Sequence, residues 1–381
     1  MISSTVVFSN RGAIMAKAIP ASLFDLSLPI IQAPMAGVST PELAAAVCNA
    51  GGLGSLGLGA CNAAQARSMI EQTQGLTNKP FNVNVFCHAS GKRDIRRDKA
   101  WLKYLSPFFA ELGIPTPKVL NEIYKSFLED EDLFKTILSL SPAYISFHFG
   151  LPSGEQLEAI RQAGITTLAT ATNLQEAALI EAAGIDIIVA QGVEAGGHRG
   201  LFDTEAVDER LSTAVLVRLL VSQTKLPVVA AGGIMDGYAI RAALDLGAVA
   251  AQLGTAFILC PESAAHEYYR KDLKSEKAFK TRLTSALSGR LARGIVNRFI
   301  LESEREGTPA SANYPFAYDA AKQLNAAAIK QGNSEFSAYW AGQGAPLARE
   351  LPAERLIQVL AEEMRKALAA PIATTSQSDV I

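Results

Sequence analysis

Short apolar runs alternate with helix-like stretches along this chain, and that alternation constrains its fold more than any other feature. The runs fall at residues 28–37, 52–57, 81–86, 144–150, 166–172, 185–192, 227–234 and 248–257. Runs this short and this rich in Val, Ile and Leu suit strands covered on both faces. Helix-start chemistry follows several of them. Ser39, Thr40, Pro41 and Glu42 combine a capping hydroxyl, an early proline and an acid. Asn173 with Glu176 forms a second start and Asp236 a third. Eight strands separated mostly by single helices predict an α/β fold of the closed parallel kind, a (β/α)8 TIM barrel. The open doubly wound alternative would place G-x-G-x-x-G after the first strand. Ala33, Pro34, Met35, Ala36 and Gly37 stand there instead.

Two stretches break the alternation and divide the chain. Residues 21–86 and 142–261 form the barrel, closed by a final helix at 353–369. Residues 87–141 and 262–352 form a smaller, mainly helical region over the C-terminal ends of the strands, where barrel active sites lie. Within the first stretch, Trp101, Leu102, Leu105, Phe108, Phe109 and Leu112 recur at helical spacing, and a second helix is expected over about 120–140. Residues 1–20 read as a leader and 370–381 as a frayed tail, both disordered.

Charge and cysteine usage narrow the partners. The formal net charge is -2 over 381 residues, which leaves no electrostatic footprint for nucleic acid. No apolar run reaches the length of a membrane span. Cys48, Cys61, Cys87 and Cys260 are scattered without metal-ligand spacing, as expected of reduced, mostly buried thiols in a cytoplasmic protein. The four histidines share no ligand spacing either, so no metal site is expected.

The chemistry is expected at the strand ends. The seventh run ends in Ala231, Gly232, Gly233 and Ile234, and the eighth in Gln252, Leu253, Gly254, Thr255 and Ala256. Glycine N–H groups and a threonine hydroxyl at these two loops suit a phosphate. The sixth run opens into Gly192 to Gly200, whose glycines present His198 over open space as a candidate base. Glu194 and Arg199 pair with each other or face water. His148, between Phe147 and Phe149, points into the barrel mouth if both phenylalanines pack outward. Asn84, alternating with Val83 and Val85, is an inward amide, and Gln191 can act likewise. His88 and His266 read as surface or loop residues.

These residues resemble the nitronate monooxygenase family, formerly called 2-nitropropane dioxygenases, and in particular its class I members. The motifs are residues 32–37 (QAPMAG), the SFHFG around His148, residues 191–200 (QGVEAGGHRG), AGGI at 231–234 and QLGT at 252–255. The resemblance implies a barrel binding FMN non-covalently beneath a smaller substrate domain. Matched position by position, it places Pro34, Met35 and Ala36 near the flavin, Asn84 and Gln191 in hydrogen bonds to it, and Gly196, Gly197 and Gly233 at its backbone contacts. Gln252, Leu253, Gly254 and Thr255 hold the phosphate. His198 is the base, with His148 nearby. Tyr314, Tyr318 and Lys322 line the substrate pocket from one helix face, joined by Tyr124 and Tyr269. Some flavin barrels carry a histidine after the fifth strand; Asn173 stands there in this chain. The activity implied is oxidation of alkyl nitronates, propionate 3-nitronate among them, by O2 to carbonyl compounds and nitrite. The rival readings are a flavin-dependent NAD(P)H reductase on the same barrel and a non-catalytic flavin or phosphate-ligand sensor.

Overall fold

A computed structural model describes residues 26–89 and 93–369. The leader and tail expected from the sequence lie outside these residues. Eight parallel strands form the barrel: β1 Ile30–Gln32, β2 Ser55–Gly57, β3 Asn82–Phe86, β4 Tyr144–His148, β5 Thr166–Ala171, β6 Ile187–Gln191, β7 Val228–Ala231 and β8 Ala250–Leu253. Their order is β1-β8-β7-β6-β5-β4-β3-β2. A parallel bridge between Ile31 and Leu53 closes the ring, with Gln32 N donating to Leu53 O and Leu53 N to Ile30 O, both at 2.9 Å. The fold is the TIM barrel that the alternation predicts.

Local sequence sets the helix starts. Thr40, rather than Ser39, caps helix Pro41–Asn49 by accepting from Leu43 N; the Ser39 hydroxyl accepts from Met35 N instead. Asn173 and Asp236 cap their helices as read, but the Glu176 carboxylate turns back to Thr172 rather than completing a reciprocal box. Helix Ala353–Ala369 closes the barrel against helices Gly237–Asp245 and Pro41–Asn49.

The two irregular stretches supply a cover. Helices Ile95–Glu111, Arg298–Ser303 and Phe316–Lys330 share a second apolar core built on Trp101, Phe109, Phe299 and Leu324. The second helix of the first stretch is shorter than expected and spans only Glu131–Leu140. Residues 120–130 form an irregular strap because other elements hold their backbone. Asn121 N donates to the Asp319 carboxylate and Phe127 N to Phe86 O. Leu133 and Ile137 of that helix pack into the barrel core. A small antiparallel sheet of Gly197–His198, Ala292–Ile295 and Thr281–Thr284 ties the loop after β6 to the cover.

Candidate active site

A cavity of about 450 Å³ lies at the C-terminal mouth of the barrel beneath the cover, within the size range of small-molecule and cofactor sites. Pro34, Met35, Ala36, Asn84, His148, Gln191, Gly196, Gly197, His198, Gly233, Gln252, Gly254 and Thr255 line it from the barrel side. Tyr124, Tyr269, Tyr314, Tyr318 and Lys322 line it from the cover. Of the site residues picked from sequence, Leu253 alone does not face the cavity: its side chain is in the barrel core and its carbonyl accepts from Ala33 N. Among the described residues no carboxylate lines this space, and no cluster of His, Cys, Asp and Glu could hold a metal ion.

Alternation along β3 turns Asn84 inward while Val83 and Val85 enter the core. The Asn84 amide nitrogen is spent on Ser146, which leaves its oxygen as an acceptor toward the cavity. Gln191 Nε2 donates to His198 O at 2.8 Å, and Gln191 Oε1 accepts from Gly200 N at 2.8 Å. One amide hydrogen of Gln191 is therefore still available. Thr255 Oγ1 accepts from Gly342 N at 3.0 Å, so its own proton is free to be donated. Gly254 leaves room beside it: a methyl added there would come no closer than 3.5 Å to protein, at Ala33 Cβ.

His198 sits on the short strand after β6, with Phe149, Tyr314, Tyr318 and Trp340 ringed around its imidazole at centroid distances of 5.3 to 6.1 Å. Its Nε2 lies 2.8 Å from Ser288 Oγ. Burial, and then the neighbouring His148 and Arg290, lower its pKa to about 3, so the ring is neutral near pH 7. His148 is neutral for the same first reason, with its pKa near 4. Its Nδ1 meets Thr170 Oγ1 and its Nε2 meets His198 O, each at 3.1 Å. Both His148 nitrogens are thus occupied by protein. Phe147 enters the barrel core as expected, but Phe149 does not pack outward. It turns under the cover at φ 73° and packs in one apolar cluster with Tyr124 and Tyr314.

The cover residues divide into engaged and available groups. Tyr269 donates to Trp340 O and stacks on Tyr339 at 4.6 Å. Tyr318 Oη accepts from Trp340 Nε1 at 3.2 Å and keeps its own proton for a ligand. The Lys322 ammonium lies over the rings of Tyr124 and Tyr318 at 4.8 and 5.7 Å, and desolvation lowers its pKa. Tyr318 and Lys322 share one face of helix Phe316–Lys330, but Tyr314 precedes it, before a cis peptide to Pro315. The proline that opens the helix excludes Tyr314 from the face that the four-residue spacing implied.

Other expectations are corrected. Arg199 and Glu194 do not pair with each other, nor does Arg199 face water. Arg199 is buried in a two-pronged pair with Asp208 at 2.8 and 2.9 Å and also donates to the carbonyls of Gln191 and Gly192. The Glu194 carboxylate accepts from Thr213 N and Oγ1. His88 is no surface residue: it is 1% exposed, edge-on to Tyr314 at 5.0 Å. Burial first, then Arg290, lower its pKa to about 4. His266 is exposed and caps helix Glu267–Leu273, as a loop residue would, but it also lines the cavity. Trp340 and Gly342 also line the cavity, and Ser288 and Arg290 back it behind His198 and Phe149; none of the four was found from sequence. Arg290 lies 4.3 Å over the Phe149 ring. Gly342 meets Gly196 so closely that a side-chain carbon on Gly196 would lie 2.6 Å from Gly342 N.

A closed parallel barrel with a roofed cavity at its C-terminal mouth is the architecture in which (β/α)8 enzymes carry their active sites. The family model "Nitronate monooxygenase" matches residues 19–363. The chain is 55% identical to a nitronate monooxygenase of Pseudomonas aeruginosa, covering 90% of this chain and 98% of that protein. It is also 55% identical to one of Paraburkholderia phytofirmans, covering 91% and 94%. A nitroalkane oxidase structure from Streptomyces ansochromogenes superposes with a TM-score of 0.82 at 41% identity, covering 90% of this chain and 97% of that one. FabK from Thermotoga maritima superposes at 0.70 with 27% identity, covering 92% and 96%. The chain belongs to the nitronate monooxygenase family, and it is an oxidoreductase of the monooxygenase type.

Proposed function

We propose that this chain is an FMN-dependent nitronate monooxygenase that converts alkyl nitronates and O2 to carbonyl compounds and nitrite. The observation that carries this reading is the cavity lining: glycine-edged loops on the barrel side, phenols and one ammonium on the cover side, and no carboxylate among the described residues. Such a lining accepts two anions, a phosphate and a nitronate, without like-charge repulsion. The relatives named above support the substrate class.

The residues present fit FMN. Gly233, Gly254 and the Thr255 hydroxyl would hold its phosphate, with Gln252 beside them, while Asn84 Oδ1 and the spare Gln191 hydrogen would meet polar edges of the ring. Gly254 provides the open cradle, because a side chain there would occupy ligand space rather than clash with protein. The flavin, when bound, supplies the redox chemistry between substrate and oxygen. The Tyr318 hydroxyl and the Lys322 ammonium bind the nitro oxygens or a substrate carboxylate. Neutral His198 takes the α-proton when the substrate arrives as a nitroalkane; a preformed nitronate needs no base. The helical cover, built on helices Ile95–Glu111, Arg298–Ser303 and Phe316–Lys330, excludes water and sets the substrate pocket, while helix Glu131–Leu140 of the expected 87–141 region belongs with the barrel.

Anaerobic titration of the purified protein tests the assignment. Alkyl nitronate bleaches the yellow chromophore, and chromatography of the released cofactor gives FMN. Bleaching by NAD(P)H but not by nitronate would make the chain a reductase, and no bleaching by either would make it a sensor.

A further inference from the structure

We propose that Ser288 fixes the tautomer of His198, so that Nδ1 is the atom that takes the substrate α-proton. This inference rests on the reading of His198 as the base and deepens it. Ser288 is fully buried in the turn between strands Thr281–Thr284 and Ala292–Ile295. The second of these strands pairs with His198 through Ala292, and this register brings the turn over the imidazole. Ser288 Oγ donates to Arg290 O at 3.0 Å and accepts from Arg290 N at 3.2 Å. A serine hydroxyl has one proton. With that proton on the Arg290 carbonyl, Oγ can only accept from His198 Nε2, 2.8 Å away. A neutral imidazole carries one N–H; here it is on Nε2, and the lone pair is on Nδ1. Nδ1 has no protein partner among the described residues, and the ring lines the cavity.

The turn is anchored for this task. Arg290 NH1 donates to Leu201 O at 2.9 Å, and its guanidinium lies on the faces of Phe149 and Tyr314. The Arg290 backbone that orients the serine proton is therefore held by its own side chain. In the proton transfer, the substrate Cα–H bond breaks, its electron pair forms the C=N bond of the nitronate, and the N=O π pair moves onto a nitro oxygen, which takes the negative charge. The proton goes to Nδ1, and the resulting imidazolium keeps its Nε2–H···Oγ bond, now charge-assisted. It later returns the proton to solvent. Ser288 is a positioning residue: it touches the base and not the substrate.

Histidine-selective 15N NMR of the holoenzyme, with FMN bound, reads the tautomer directly. The expected result is a neutral His198 protonated at Nε2 in the wild type and a mixture of tautomers in Ser288→Ala. Protonation at Nδ1 in the wild type overturns the proposal, whether or not the variant folds. Kinetically, Ser288→Ala lowers turnover of a neutral nitroalkane by roughly ten- to a hundredfold, less than the loss of the base itself, and leaves the preformed nitronate nearly unchanged. Equal losses on both substrates would overturn it. The base reading fails separately: if His198→Asn affects both substrates alike while the wild-type spectrum shows Nε2–H, the tautomer stands and the base role falls.

Discussion

The backbone carbonyl of His198 accepts a hydrogen bond from the ring of His148, Nε2 to oxygen at 3.1 Å. Gln191 donates to the same oxygen at 2.8 Å. His148 and His198 are therefore unequal: one is held by the other, and of these two only His198 keeps a nitrogen for chemistry.

That inequality separates two variants. His198→Asn lowers turnover of a neutral nitroalkane by about 10² or more, the usual range for losing a general base, and lowers turnover of the nitronate far less. His148→Phe loosens the His198 backbone and lowers both by a similar factor, on the order of ten, because misplacement affects every substrate. Oxygen consumption with the two forms of one substrate measures both. A selective nitroalkane loss in His148→Phe would make His148 a second proton carrier.

Gly254→Ala should fold normally, since the added carbon meets nothing closer than 3.5 Å and the backbone there, at φ -104°, suits any residue. It intrudes on the ligand instead. FMN affinity falls by roughly tenfold, equivalent to about 1.4 kcal/mol, and falls further in Gly254→Val. Apoprotein melting with flavin titration distinguishes this from misfolding; unchanged affinity would move the phosphate elsewhere.

Acid stability should depend on His88. Its folded pKa, about 4, lies below the ordinary value of 6.5. Between those values the unfolded chain binds the proton and the folded chain does not, so stability is lost as pH falls through this window. His88→Phe removes one such proton and flattens the slope by about 1.4 kcal/mol per pH unit. Denaturant melts at pH 4.5, 5.5 and 7 would show it, and parallel curves for the two proteins would contradict the buried, neutral assignment.

Asp208→Asn leaves the Arg199 guanidinium buried without its carboxylate. A destabilisation of about 3–5 kcal/mol is expected, read as a lower urea midpoint at unchanged slope. Because Arg199 also holds the carbonyls of Gln191 and Gly192, flavin retention should fall with it. A change within 1 kcal/mol would mean that the pair is hydrated in solution.

The barrel was legible because short, largely buried runs recur with helix-start and glycine punctuation at their ends. The barrel half of the site was legible from the same strands: Asn84 alternates with two valines within its strand, and His198, Gly233 and Thr255 follow strand ends. The other half reaches the cavity through tertiary contact. Ser288 is ninety positions from His198 along the chain, and neither its hydroxyl nor the Arg290 backbone carries a local signal of the pairing. Trp340 and Gly342 arrive on an irregular return segment with no periodicity to read. Arg199 and His88 were misjudged because polar residues in loops usually face water, whereas Asp208 and the carbonyls of Gln191 and Gly192 engage Arg199 and the strap lies on His88. Tyr314 was misplaced by spacing alone, although Pro315 marked the helix start.

The near-contact of Gly196 with Gly342 has a consequence for how the molecule melts. Gly342 N also bonds Thr255, and Gln343 N donates to Glu194 O, so the segment leading out of the cover lies backbone to backbone on the barrel loops. Two apolar cores joined at that range cannot loosen one at a time without orphaning main-chain groups. Heating should therefore give a single calorimetric transition, with cover and barrel lost together.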